Sequence, residues 1–270
     1  MEKRAEENIF IGEHVRCTFG HGKKAVNAID DVSFAIKDQE IVSLVGGSGC
    51  GKSVLSKVML GLITPAAGRF LYKGSPIVNQ REHWREVQAV FQDPFSCFNQ
   101  FFTIRSQLKS SFGIYKTKPP KKQIEERVDQ ALRAVNIEPP EIEGKYPFEL
   151  SGGQMQRMLL ARIFMLRPRV LIADEPTSMV DACVRANILD YLMKLKEELK
   201  MTIVFITHDI GLACYVSDRL FIMHRGSIIE QGPPEAVTMN PTNPHTIQLL
   251  DDIPDIHKQW LERSAPAPSA

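Results

Sequence analysis

Ile41-Val42-Ser43-Leu44-Val45 runs directly into Gly46-Gly47-Ser48-Gly49-Cys50-Gly51-Lys52-Ser53-Val54. The first five residues are almost wholly apolar, as in a strand covered on both faces, and Ser53–Leu62 has the composition of a helix. The glycines between them fit G-x-x-x-x-G-K-[ST], a loop whose backbone N–H groups curl inward around a polyphosphate. The start of the following helix adds partial positive charge. Gly46, Gly47, Ser48, Gly49, Cys50, Gly51, Lys52, Ser53 and Val54 are thus the expected nucleotide-binding residues. Lys52 brings a full charge to the β- and γ-phosphates, and Ser53 a hydroxyl for Mg2+. The strand, loop, helix order predicts a parallel α/β layer.

Two further apolar runs, Val170–Ala173 and Thr202–Ile206, read as neighbouring strands separated by a helix over Val184–Leu199. The first closes on Asp174 and Glu175. Asp174 is the expected second ligand on the metal side, and Glu175 is placed as general base for a water beside the γ-phosphate. The second closes near His208, at the carboxyl edge where open α/β sheets bind ligands, which makes it a candidate γ-phosphate contact.

Toward the N-terminus, Asn8–Thr18, Val32–Ile36 and Arg69–Tyr72 predict an antiparallel sheet, and Leu220–Met223 with Ser227–Glu230 a hairpin around His224-Arg225-Gly226. Residues 93 to about 165 have helical periodicity and little strand signal. Ile124, Val128, Ala131, Leu132 and Val135 form one apolar stripe of an amphipathic helix expected to end at Pro139-Pro140. This middle segment is expected to be a helical insert. The boundaries expected are a nucleotide-binding domain over 1–235 and a short extension over 236–270, with a helix near Asp255–Arg263 and a disordered tail, APAPSA.

Composition narrows the function. With 43% hydrophobic and 24% charged residues the chain is not disordered overall. A formal charge of +1 gives no general reason to bind nucleic acid. No apolar run reaches the roughly 20 residues of a membrane span, and MEKRAEEN lacks a signal-peptide core. A cytosolic chain is the expectation. The five cysteines (Cys17, Cys50, Cys97, Cys183 and Cys214) have no metal-ligand spacing and are read as reduced thiols. Cys50 lies inside the phosphate loop, as inert filler or as a point where alkylation blocks the nucleotide.

Leu150-Ser151-Gly152-Gly153-Gln154 leads into a helix, and by itself reads as a capped helix start. Ahead of the Asp174 strand, however, it resembles the signature of the ATP-binding-cassette (ABC) ATPases, and the order of motifs matches that family from about Phe10 to Leu250. The resemblance implies a P-loop NTPase (RecA-like) core with an N-terminal antiparallel β-subdomain and a helical insert, using ATP and Mg2+. It assigns Gln92 in Val90-Phe91-Gln92-Asp93-Pro94 to the Q-loop, as a metal ligand with Ser53 and Asp174. It assigns Ser178-Met179-Val180-Asp181 to the D-loop, where the usual form is S-A-L-D, and His208 to the switch histidine. Phe19 is the expected adenine-stacking residue, with Val26 as the rival.

Gln92–Ser96, Leu150–Arg157 and Asn240-Pro241-Thr242-Asn243-Pro244-His245-Thr246 are similar to the oligopeptide/dipeptide permease ATPases, some relatives of which import nickel or oligosaccharides. Cys97-Phe98-Asn99-Gln100 departs from the common form of that subfamily, and the cysteine cluster of its iron–sulfur members is absent. The resemblance implies a head-to-tail pair in which Ser151, Gly152, Gly153 and Gln154 of one subunit face ATP held by the other. The partners implied are a second ABC ATPase, homologous or identical, two transmembrane permease subunits and an external solute-binding protein, at the cytoplasmic face of the membrane. A soluble non-transport ABC ATPase is the rival. Phe95, Phe98, Phe101 and Phe102 are read either as core or as a groove for a short membrane-subunit helix.

Overall fold

A computed structural model describes residues 8–20, 22, 25–178 and 182–251. Strands β1 (Asn8–Phe19), β2 (Val26–Lys37) and β4 (Ala67–Tyr72) form an antiparallel sheet in the order β2-β1-β4. The second sheet is ordered β5-β6-β7-β3-β8-β9, from β3 (Ile41–Val45), β5 (Val87–Val90), β6 (Val170–Asp174), β7 (Thr202–Thr207), β8 (Arg219–His224) and β9 (Ser227–Gly232). Its pairs are parallel except for the β8–β9 hairpin. Every residue of β3 and β7 is buried, which is why these runs carry no polar alternation.

Aromatic side chains join the small sheet to the large one. Phe34 of β2 meets Phe221 of β8 edge-on at 6.3 Å, and within the small sheet Phe10 lies 5.3 Å from Phe70 and 5.5 Å from Tyr72 between ring centroids. Such pairs contribute about 0.5–1.5 kcal/mol each beyond their buried area.

The insert is helical. Between β5 and β6 lie α3 (Ile104–Ser110), α4 (Lys121–Ala134) and α5 (Gly152–Leu166), with short 3₁₀ turns and no strand. The predicted apolar stripe is the buried face of α4. That helix stops at Ala134, ahead of Pro139-Pro140, which open a 3₁₀ turn instead. Helix α6 (Ala182–Leu199) fills the predicted segment between β6 and β7.

Four helices and one strand carry too short a pattern to be read in advance: α2 (Gln80–Glu86), β5, α7 (Ile210–Val216), α8 (Pro234–Met239) and α9 (Pro244–Asp251). Helix α9 falls where prolines thicken; Pro244 occupies its first turn, where no backbone donor is needed. The Asn240–Thr246 segment is pinned to β9, since a Glu230 carboxylate oxygen accepts from the Thr242 N–H at 2.8 Å, and His245 stacks on His224 at 3.7 Å. The helix expected near Asp255–Arg263 and the tail lie outside the described residues.

None of the described helices is long and apolar enough to cross a membrane. Insert and core are joined by Gln156 of α5, 1% exposed, whose amide donates to the Pro176 carbonyl beyond β6 at 2.7 Å. Replacing it by leucine leaves that buried carbonyl without a donor. Q156L is expected to lower unfolding free energy by about 1–3 kcal/mol, read as an earlier midpoint in urea titration.

Candidate functional site

The register of the large sheet brings the predicted residues to one edge. Val90 pairs with Ala173, Asp174 with Ile206, and Val45 with Thr207. Gln92, Asp174, Glu175, His208 and Gly46 therefore all emerge beyond the carboxyl ends of adjacent strands.

The phosphate loop turns from β3 into α1 (Lys52–Met59), with Gly51 at φ 108° as its cap. Buried Lys52 folds back, its Nζ donating to the carbonyls of Gly46 at 2.7 Å and Gly47 at 3.0 Å. Gly46 and Gly51 have no space for a side chain: a Cβ would lie 2.2 Å from the Met223 carbonyl oxygen and 2.5 Å from that of Ala28, respectively. At Gly47 and Gly49 a Cβ would meet nothing within 4 Å. The loop is thus clamped at its ends and open along its rim, the side on which a polyphosphate fits. Val54 follows on the first turn of α1, partly buried.

The clamp is a contribution the sequence did not reveal. The turn between β8 and β9 reaches over the loop, with Gly226 N–H donating to the Cys50 carbonyl at 3.0 Å and Gly226 O accepting from Asp30 N–H at 2.9 Å. His224-Arg225-Gly226 is legible as a turn; nothing in its residue types announces what it presses against. Cys50 itself is buried, its Sγ 3.7 Å from Lys52 Nζ, so its thiol faces inward rather than the open rim.

Asp174 closes β6. Its carboxyl is pushed above the usual range, first by burial and then by the charge of Glu175, against the pull of Lys52, Lys57 and a Ser53 hydrogen bond. A half-buried carboxylate repelled by a neighbour and faced by a serine hydroxyl is a set of hard oxygen donors, which fits Mg2+. Glu175 adopts φ 46°, a left-handed conformation costly for a non-glycine residue, and its N–H is held by the Ile206 carbonyl at 2.9 Å. That backbone turn aims its side chain at His208, with Nδ1 3.2 Å from Oε1. The His208 side chain is 66% exposed and that of Glu175 22% exposed. Asp209 caps α7 by accepting from Leu212 N–H at 3.1 Å, fixing the sharp turn on which His208 stands.

Gln92 lies two residues past β5, exposed, at the hinge into the insert. Ser151 caps α5 reciprocally: its hydroxyl accepts from Gln154 N–H at 3.3 Å, and Gln154 Oε1 accepts from Ser151 N–H at 3.0 Å. Gly152 and Gly153 form the first turn, partly exposed. Among the described residues no hydrogen bond links this helix start to the phosphate loop. Phe19 and Val26 are cross-strand partners, 46% and 64% exposed, so the two adenine candidates share one hairpin end. Asp181 lies outside the described residues. The phenylalanines divide: Phe98 is core, 5% exposed, whereas Phe101 and Phe102 are 87% and 57% exposed. Phe98 is therefore no part of an open groove.

The ABC transporter family model matches residues 29–178. The chain belongs to the ABC transporter family. It is 37% identical over 240 residues to the oligopeptide transport ATP-binding protein AppF of Bacillus subtilis (strain 168), covering 87% of this chain and 72% of that relative. It is 32% identical over 263 residues to the oligopeptide transport ATP-binding protein OppF of Escherichia coli (strain K12), covering 93% and 78%. Among solved structures, cbiO1 from Clostridium perfringens, part of the ABC transporter complex cbiONQ, superposes with a TM-score of 0.76 at 29% identity, covering 95% of this chain and all of that one. A dimeric post-hydrolysis state of the ATP-binding cassette MJ0796 bound to ADP and Pi gives 0.73 at 26% identity, covering 83% and 98%. This chain is an ABC ATPase, the ATP-hydrolysing subunit of a membrane transporter.

The loop geometry separates two glycines of one motif. Gly46→Ala is expected to cost about 1–3 kcal/mol through overpacking against the Met223 carbonyl, whereas Gly47→Ala melts within a degree or two of the parent. Differential scanning fluorimetry of the two variants reads the contrast.

Proposed function

We propose that this ABC ATPase powers the import of oligopeptides or dipeptides through two transmembrane permease subunits, supplied with cargo by an external solute-binding protein. The substrate class rests on the oligopeptide transport relatives. Hydrolysis rests on one observation above all: the phosphate loop, Asp174, Glu175 and His208 share the carboxyl edge of the sheet, with Glu175 and His208 in contact at 3.2 Å. The protein works at the cytoplasmic face of the membrane. Its catalytic domain spans residues 1–235, with the helical subdomain at about 93–165, and residues 236–270 form a short extension.

In this reading the rim of Gly46–Val54 wraps the phosphates and Lys52 turns from its loop carbonyls to the β- and γ-phosphate oxygens. Ser53, Asp174 and Gln92 hold Mg2+, which when bound offsets negative charge on those oxygens. Glu175 orients the attacking water and accepts its proton as the O–Pγ bond forms and the bond to the leaving oxygen breaks. His208 holds the Glu175 carboxylate in position and contacts the γ-phosphate. Phe19 stacks on adenine, Val26 beside it.

The capped start of α5 has an accessible N-terminus and no hydrogen bond to its own phosphate loop. Ser151, Gly152, Gly153 and Gln154 therefore serve ATP bound by a second ABC ATPase, a copy or a homologue, in a head-to-tail dimer; Asp181 and His208 couple hydrolysis to the geometry of that dimer. Gln92 carries the presence of nucleotide into the insert, where exposed Phe101 and Phe102 receive a short helix of a permease subunit.

Glu175→Gln is expected to keep ATP affinity within a few-fold, reduce turnover by at least about 100-fold and accumulate ATP-bound dimers on size-exclusion chromatography. Full turnover in that variant overturns the role of Glu175. ATP-driven uptake of labelled peptides into vesicles bearing the whole transporter tests the cargo.

A further inference from the structure

His245 stands at the start of α9 and lies flat on His224 at the end of β8, with ring centroids 3.7 Å apart and planes within 17°. The same segment is fastened in two other ways. The Glu230 carboxylate of β9 accepts from the Thr242 N–H at 2.8 Å, from the Thr242 hydroxyl at 3.1 Å and from the Asn243 N–H at 3.4 Å. Leu249 and Leu250 pack on a cluster that includes Val45, Leu220 and Ile222. Val45 precedes Gly46, so α9 covers the strand end from which the phosphate loop springs.

His224 links that cover to the loop. It follows Met223, whose carbonyl excludes a side chain at Gly46, and stands two residues before Gly226, whose N–H donates to the Cys50 carbonyl. The stretch 223–226 is therefore held by α9 on one side and holds the phosphate loop on the other.

This contact tolerates a neutral His224 ring and opposes a charged one. Nε2 of His224 is sealed from solvent with no hydrogen-bond partner among the described residues, so a proton there becomes a donor without an acceptor. Protons on both rings set two like charges 3.7 Å apart. The surrounding charges do not offset them. Arg225 is the adjacent one, Glu230 is engaged with Thr242 and Asn243, Asp30 of β2 pairs with Arg16, and Lys52 is the charge on the loop side. Burial first, then His245 and Arg225, hold the His224 imidazole below its ordinary value of 6.5. Docking of α9 therefore expels a proton: it is complete above the ordinary histidine value and weakens as pH falls below it.

We propose that α9 braces the phosphate loop through His224, with the two stacked imidazoles as a proton-sensitive latch. With the pair neutral, the 223–226 stretch is held against Gly46 and Cys50. With both rings charged, α9 lifts, the loop loses its outer support, and nucleotide binds less tightly. His245 is a positioning residue, acting on the nucleotide only through His224. The latch rests on the reading of Gly46–Val54 as the nucleotide loop.

The test follows the full chain by hydrogen–deuterium exchange and by titration with a fluorescent ATP analogue at pH 8 and pH 5.5. The double variant His224→Phe/His245→Phe keeps two flat rings and removes both protons, and His245→Phe alone serves as a second reference. The ratio of the α9 exchange rate in the parent to that in the double variant is expected to rise at least about twofold from pH 8 to 5.5, and the ratio of their nucleotide dissociation constants to rise with it. These ratios cancel the pH dependence of exchange itself, of ATP and of His208. Against His245→Phe the rise has the same sign and is smaller. His245→Ala, which removes the ring, is expected to weaken nucleotide binding at least twofold at pH 8 and to speed exchange at Cys50 and Gly226, with His245→Phe restoring both. An exchange ratio that changes less than twofold overturns the latch; nucleotide affinity in His245→Ala within twofold of the parent overturns the brace. Lys52→Ala separates the layers. It is expected to lose nucleotide binding; if it binds as the parent does, the loop reading fails and the proposal with it.

Discussion

The Met223 carbonyl and Gly46 approach so closely that no Cβ fits between them, and the rest of the site depends on this contact. It presses the phosphate loop between the end of β3 and the β8–β9 turn. With Gly226 bonded to Cys50, the curve of the loop is held by the protein's own backbone. Lys52 donates inside that curve to two of its carbonyls. The flexible glycines of the motif are of two kinds, those that permit close packing at the ends and those that leave the rim open.

Charge is arranged around this rigid loop with an evident deficit. Asp174 and Glu175 are adjacent, and burial raises the former. The strained backbone of Glu175 sends its side chain toward His208, away from a parallel path with Asp174. One β-strand end thus presents two carboxylates in different surroundings, one more buried and turned to the phosphate loop, the other turned to an exposed imidazole. That divergence suits one to hold a cation and the other to handle a proton.

The helical insert is joined to this edge at both of its ends. Its entry at Gln92 and its exit through α5 flank the catalytic strands β5 and β6, and the Gln156–Pro176 bond joins α5 to the loop beyond Glu175. Helix α5 is therefore in contact with the catalytic loop on one side and with the Phe95–Phe98 turn on the other. A displacement at either end has a short, hydrogen-bonded and packed route to the other.

The buried strands were legible because a central parallel strand excludes polar residues from both faces, and the loop and signature because their chemistry demands particular residues at particular spacings. The positions of Gly46–Ser53 between strand and helix, of Asp174, Glu175 and His208 at strand ends, and of Ser151–Gln154 at a helix start are therefore legible in the sequence alone, as is the α4 stripe. Short elements such as β5 and α7, with four and seven residues, offer too little periodicity to be read. Contacts between segments distant in the chain are decided only by tertiary structure, since neither partner has a distinctive residue pattern: the β8–β9 turn on the phosphate loop, the meeting of Glu175 with His208, and the division of Phe98 into the core from Phe101 at the surface. Residue type specifies what chemistry a position can perform; packing against residues far away in sequence decides whether it faces the nucleotide, the core or a partner.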